Sequence, residues 1–186
     1  VGSNILIRDG GVTGVVVRLS RGFSDITVDD TRIRAGAGAL DLNVARFAQR
    51  HVVAGLEFLS GIPGSIGGTL KMNGGAYGRE ISDITVTATV VDRQGNLSIL
   101  KHTDLDFSYR HCGVPADHIF LAAELNGVQG KRQEISALMD EIAETRLESQ
   151  PIRGATGGST FKNPPGLKAW EIIDDAGCRG LRRGGV

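Results

Sequence analysis

The spacing of apolar and polar positions gives the first outline of the fold. Ile84, Val86, Ala88 and Val90 recur with a period of two. A turn at Arg93-Gln94-Gly95-Asn96 and a return strand at Leu97–Lys101 complete a predicted hairpin. Shorter β-branched runs predict strands at Ile5–Arg8, Gly14–Leu19, Asp25–Val28, Arg32–Ala35 and Ile119–Leu125. Two stretches have the helical period instead. Leu40, Val44, Phe47, Ala48 and His51 predict an amphipathic helix over 40–51. Ile135, Leu138, Met139, Ile142 and Ala143 form the core stripe of a longer helix over Gln133–Leu147, Met139 included as packing. A short third helix is predicted around Leu167–Ala176, stopped by Gly177. Between these, Gln150–Gly166 holds three prolines and five Gly or Asn residues, the composition of a linker or site loop. Short strands with separated helices predict an α+β architecture with mostly antiparallel strands.

Composition narrows the function. Twenty-one basic and twenty-one acidic residues cancel, which argues against a nucleic-acid or membrane-surface partner. No apolar run reaches the ~18 residues of a membrane span. Two distant cysteines, Cys112 and Cys178, and no secretion signal fit a reduced, cytoplasmic protein, and the four histidines have no ligand spacing that would make a metal site. The chain has no initiator Met and stops at Gly184-Gly185-Val186, so it reads as a piece of a longer protein.

Glycine is the outlier, at 27 residues. From Phe58 to Gly78 the chain runs FLSGIPGSIGGTLKMNGGAYG, with seven glycines and a single charge, Lys71. Such a run presents backbone: glycines admit positive φ, and bare N–H groups form anion-binding concavities. A second turn, Val1-Gly2-Ser3-Asn4, leads into Ile5-Leu6-Ile7. Together they suggest a phosphate-bearing ligand long enough to touch both, with ordinary loop glycine as the plain alternative. The common nucleotide fingerprints are absent: neither G-x-G-x-x-G nor G-x-x-x-x-G-K-[ST] occurs.

Three further clusters carry chemistry. Phe107-Ser108-Tyr109-Arg110 sets an aromatic ring beside a guanidinium, a planar fork for carboxylate or phosphate, or else a surface ion-pair arginine. Gly157-Gly158-Ser159-Thr160-Phe161-Lys162-Asn163-Pro164 sets a hydroxyl on a glycine bend near a cation and an amide. Ser159 there is a proton donor or a turn serine. In Asp175–Arg182, Cys178 reads as a small buried residue rather than a reactive thiol.

In this order the motifs GSNILIRDGG (2–11), GLEFLSGIPGSIGG (55–68), MNGGAYG (72–78), FSYR (107–110), GGSTFKNP (157–164) and AWEIIDDAGCRGLR (169–182) resemble the UDP-N-acetylenolpyruvoylglucosamine reductases, flavoenzymes of bacterial peptidoglycan precursor synthesis. The resemblance implies an FAD-binding fold of the vanillyl-alcohol-oxidase type over 1–149, and the start of a substrate-binding α+β domain over 150–186. It implies FAD contacts from Gly2, Ser3 and Asn4 at the pyrophosphate. Ile62, Pro63, Gly64, Ser65, Gly68, Gly75, Ala76 and Tyr77 would line the flavin cleft. It further implies NADPH as hydride donor and a UDP-sugar enolpyruvyl ether as substrate. Arg110 would stabilise the charge that develops on the substrate carboxylate, and Ser159 would give its proton to the C2 carbanion. Tyr109, Lys162 and Asn163 would lie near the substrate. The family's catalytic glutamate would lie beyond Val186 and the first part of its flavin domain before Val1, so this chain alone is expected to bind flavin poorly and turn over little. The alternatives are an FAD-dependent oxidase of the same fold and a non-catalytic nucleotide-binding module.

Overall fold

The computed structural model describes residues 1–149 and 160–184. The chain divides into two compact units, Val1–Thr156 and Gly157–Val186.

The first unit is built on a five-stranded antiparallel sheet. Its strands are β1 (Ile26–Asp29), β2 (Arg32–Gly36), β3 (Thr85–Val91), β4 (Leu97–Lys101) and β5 (Ile119–Asn126), in spatial order β1-β2-β5-β3-β4. The predicted hairpin is β3–β4. Asp92 closes it by accepting the N–H groups of Gln94 and Asn96 and the Asn96 amide, which together hold its carboxyl below the usual range. Across the middle of the sheet Ala35 faces Ala123, and Ala123 faces Ala88, all three buried. Small side chains there let a helix approach closely, and the short α2 (Ile66–Lys71) lies against β5. α1 (Asp41–Arg50) and α3 (Arg132–Ser149) complete the layer and are joined by a hydrogen bond from the Gln49 amide to Ser136 Oγ at 3.0 Å.

Several details depart from the pattern-based expectations. Leu138 and Ala143 of the predicted α3 core stripe are exposed, because the buried face of α3 is the narrower one of Ile135, Met139 and Ile142. Ile5–Arg8 and Gly14–Leu19 are not strands, and Leu6, Val15, Val16 and Val17 are exposed. A strand exists only as part of a ladder, and among the described residues neither segment has a pairing partner. In α1 the buried face is Asp41, Val44, Ala45 and Ala48, while Leu40 precedes the helix and is exposed. In β3 a register shift opposite Glu124/Leu125 makes Val86 an extra residue. Thr85 turns inward instead, its hydroxyl donating to Ile81 O at 2.7 Å.

The second unit holds α4 (Ala169–Asp175), two residues shorter at its start than predicted. Its end is a Schellman turn: Gly177 at φ 67° donates to Asp174 O, and Cys178 N–H donates to Ile173 O. Cys178 is exposed, not buried as expected, because the turn that places it lies at the surface.

Candidate active site

The glycine stretch folds into two successive devices. In the first, Ile62–Ser65 leads into α2 and lies along the 37–41 segment. Asp41 N–H donates to Gly64 O, Ile66 N–H to Ala39 O and Gly67 N–H to Ala37 O. Those two helix-opening amides are therefore taken by the protein itself. The N–H groups of Ser65 and Gly68 have no acceptor among the described residues. They are the main-chain donors this turn offers to an anion. Gly64 must be glycine here, since a Cβ would stand 2.8 Å from Asp41 Oδ2 and 3.3 Å from Thr69 Oγ1.

Asp41 itself is wholly buried. Its Oδ2 accepts the Thr69 hydroxyl at 2.7 Å, and its Oδ1 has no partner. Burial pushes its pKa from 3.8 up to about 7, with the Thr69 hydrogen bond opposing the rise. A carboxyl mostly protonated below neutrality thus lies under the turn.

The second device is the hairpin formed by Gly75–Ala76 and Arg79–Glu80. Its two corner residues are Tyr77 (φ 56°) and Gly78 (φ 76°), the type I′ geometry. Gly75 is fixed by contact rather than by φ: a Cβ there would meet Arg79 O at 2.4 Å. Tyr77 reaches α3, its hydroxyl donating to Ile142 O at 3.2 Å, and its ring lies where a Cβ on Gly61 would be.

Arg110 sits on another two-residue hairpin that the sequence pattern did not reveal. Phe107 pairs with Cys112 and Ser108 with His111, which leaves Tyr109 and Arg110 at the corner. Arg110 is half-buried, has φ 53°, and lies 5.9 Å from the Tyr109 ring. Two side chains from the end of α2 and just after it reach this hairpin and the segment that follows it. The Lys71 ammonium donates to Val114 O, and the Asn73 amide donates to Ser108 O. The glycine stretch and the Arg110 corner are therefore parts of one body.

The other predicted residues fall elsewhere. Gly2, Ser3 and Asn4 form an exposed turn, with no hydrogen bond to the 62–78 stretch among the described residues. Ser159 lies outside the described residues. In the second unit Lys162 is exposed, and Asn163 uses its Oδ1 to accept the Ala169 N–H at 3.0 Å at the start of α4. A polar cleft of about 620 Å³ opens beside Asn73, lined by Glu80, Asp83, His102 and Asp106 among others. It includes none of the residues predicted to hold flavin, and its carboxylates disfavour a phosphate-bearing ligand. No cluster of metal-ligating side chains occurs among the described residues.

Sequence reasoning misses Asp41 and Asn73. Asp41 is hidden by a helix stripe drawn from Leu40. Asn73 stands in plain view inside MNGGAYG, where composition alone reads as loop.

Residues 1–101 match the family model of the FAD binding domain. Residues 150–186 match that of the UDP-N-acetylenolpyruvoylglucosamine reductase C-terminal domain. The chain belongs to the FAD-binding-domain family, and the donor set at Ser65 and Gly68 fits that group. More particularly, over its whole length it is 56% identical to the UDP-N-acetylenolpyruvoylglucosamine reductase of Parvibaculum lavamentivorans and 58% identical to that of Paramagnetospirillum magneticum. It spans about 60% of the length of these curated relatives. The crystal structure of UDP-N-acetylenolpyruvylglucosamine reductase from Thermus caldophilus superposes on 98% of this chain with a TM-score of 0.86 at 35% identity, covering 66% of that protein.

Proposed function

We propose that the complete protein carrying this chain reduces the enolpyruvyl ether of UDP-N-acetylglucosamine to the lactyl ether, UDP-N-acetylmuramate, for peptidoglycan synthesis in the cytoplasm. Residues 1–149 act as the flavin-binding region and 150–186 as the beginning of a substrate-binding domain. The observation that carries this reading is the joining of the glycine-lined turns to the Arg110 corner in one unit, in a chain whose full length aligns with reductases of that name. No helix among the described residues is long and apolar enough to cross a membrane.

The residues that would hold FAD are Gly2, Ser3 and Asn4 at its pyrophosphate and Ile62, Pro63, Gly64, Ser65, Gly68, Gly75, Ala76 and Tyr77 along the cleft. When bound, FAD supplies the hydride, received from NADPH, to C3 of the enolpyruvyl group. Arg110 pairs with the substrate carboxylate, into which the negative charge left at C2 is delocalised. A fixed cation there stabilises charge as it develops, which is where electrostatic catalysis acts. Ser159 gives its proton to C2, and Tyr109, Lys162 and Asn163 orient the substrate.

Ser159→Ala in the complete protein tests the reaction class. Loss of a positioned proton donor is expected to slow reoxidation of reduced flavin by the enolpyruvyl substrate by about 10²–10⁴-fold. Flavin content and the rate of reduction by NADPH should stay as in the wild type. Unchanged reoxidation would remove Ser159 as the proton donor, and no reoxidation in the wild type itself would favour a non-catalytic module.

A further inference from the structure

The Arg110 corner is a two-stranded hairpin of two residues a side, too short to hold its own shape, since isolated hairpins are marginal even when much longer. Its geometry has to come from outside. Phe107 packs against the core, Gly113 N–H donates to Leu105 O, and the side chain of Asn73 supplies the tie at Ser108.

Asn73 is buried, with 3% of its surface exposed. Its Nδ2 donates to Glu80 Oε2 at 2.8 Å and to Ser108 O at 3.2 Å, while its Oδ1 accepts the Ser82 N–H at 3.2 Å. One amide thus bonds three segments: the glycine hairpin at Glu80, the turn that follows it at Ser82, and the FSYR hairpin at Ser108. An Asn offers two donors and an acceptor on one short planar group, and here all three are used. Its backbone lies at φ 41°, in the left-handed region that Asn tolerates better than other residues with a side chain. The neighbouring Gly74 N–H returns to Thr69 O, and Gly74 O accepts the Ile81 N–H, so the main chain around Asn73 is closed as well. Ser108 is two residues before Arg110, on the strand that leads into the corner.

We propose that Asn73 is a positioning residue: it fixes the Tyr109–Arg110 corner to the glycine-lined stretch and so sets where the Arg110 guanidinium stands. The role rests on the functional reading above for its consequence in turnover, but the clamp itself does not. Without the amide, Ser108 O and Glu80 lose their shared donor, and the leading strand is released from the glycine hairpin. The tie from Lys71 to Val114 O lies two residues past Cys112, on the far side of the hairpin, and makes no bond to Ser108.

A double-mutant cycle in the complete, FAD-loaded protein tests this. Misplacement by about an ångström costs up to ~10²-fold in rate, so Asn73→Ala is expected to slow flavin reoxidation by the enolpyruvyl substrate about 10- to 100-fold. Reduction by NADPH is expected to stay unaffected. Residues that act through one another are non-additive; in an Arg110→Ala background the same change is expected to cost no more than about 3-fold further. Effects that multiply in full would overturn the proposal. Amide hydrogen exchange over 107–112 is the independent readout: opening is expected to be at least about 10-fold faster in Asn73→Ala than in wild type, and unchanged protection would overturn the clamp. If Arg110→Ala alone leaves reoxidation untouched while exchange over 107–112 speeds up in Asn73→Ala, the functional reading fails and the clamp stands. Should Asn73→Ala lose its flavin, Asn73→Asp takes its place. It keeps the left-handed backbone and the acceptor for Ser82 but loses the donor, and the same outcomes decide.

Discussion

Replacing Arg110 by glycine is expected to abolish most turnover while relieving backbone strain at the corner where it stands. Arg110 occupies the second corner of a two-residue hairpin with φ 53°. A turn with positive φ at that corner is the place for Gly or Asn. An L-residue with a Cβ there costs roughly 1–2 kcal/mol. Strain of this kind persists where the surroundings over-determine it, and it clusters at functional sites. Glycine relieves the strain, and with it goes the cation. Removing one preorganised group that stabilises developing charge costs about 10²–10³ in rate. Arg110→Ala isolates the second effect, because it removes the charge without freeing φ. Arg110→Lys is not a conservative change either, since an ammonium lacks the planar fork that matches a carboxylate. Single-turnover reoxidation of flavin and urea unfolding, run on the same variants, separate the two effects. Retained turnover in Arg110→Gly would remove Arg110 from the chemistry, and a large loss of stability would show that its side chain is structural.

The second large effect is on stability and follows from Asp41. Its folded pKa is about 7, against 3.8 ordinarily, so the native state prefers the neutral acid. Below about pH 4 both folded and unfolded chains carry the proton and the group favours neither. As pH rises from about 4 to about 7 the unfolded chain loses its proton first, and the fold loses stability progressively until Asp41 ionises in the native state too. A rise of this size corresponds to a loss on the order of a few kcal/mol. Asp41→Asn, which mimics the neutral acid and keeps a hydrogen-bonding partner for Thr69, is expected to flatten that slope. At neutral pH it should unfold at higher denaturant than the wild type. Parallel pH profiles of the unfolding midpoint for wild type and Asn variant would show that Asp41 is not the group responsible.

The long periodic elements were legible in the sequence where their pattern and their packing agree. The β3–β4 hairpin and α3 fall close to their predicted ends, with Ile135, Met139 and Ile142 facing the core as expected, whereas Leu138 and Ala143 of the same predicted stripe are exposed. Where a feature depends on a partner distant in sequence, the pattern carried less. The apolar runs at 5–8 and 14–19 have genuine β propensity, but propensity supplies no ladder. Val86 alternates correctly with its neighbours and is displaced only because β5 opposes it with one residue fewer. At the site, the glycine stretch announced a backbone-lined surface. The structure adds which amides remain available, at Ser65 and Gly68, and which are already consumed, at Ile66 and Gly67. Asn73 and Asp41 were invisible for a common reason. A buried polar residue differs from a loop or helix-end polar residue only by what surrounds it, and that is a property of tertiary structure.

If the glycine-lined surface and the Arg110 corner serve hydride delivery to an enolpyruvyl ether, the reduced flavin should discriminate between acceptors. The deciding experiment mixes the complete, NADPH-reduced protein anaerobically with enolpyruvyl-UDP-N-acetylglucosamine, and separately with oxygen, and follows flavin absorbance through one turnover. Reoxidation is expected to be faster with the enolpyruvyl sugar, with UDP-N-acetylmuramate formed in equal amount to the flavin oxidised. Faster reoxidation by oxygen, with no lactyl ether formed, would rule out the reductase and identify an oxidase.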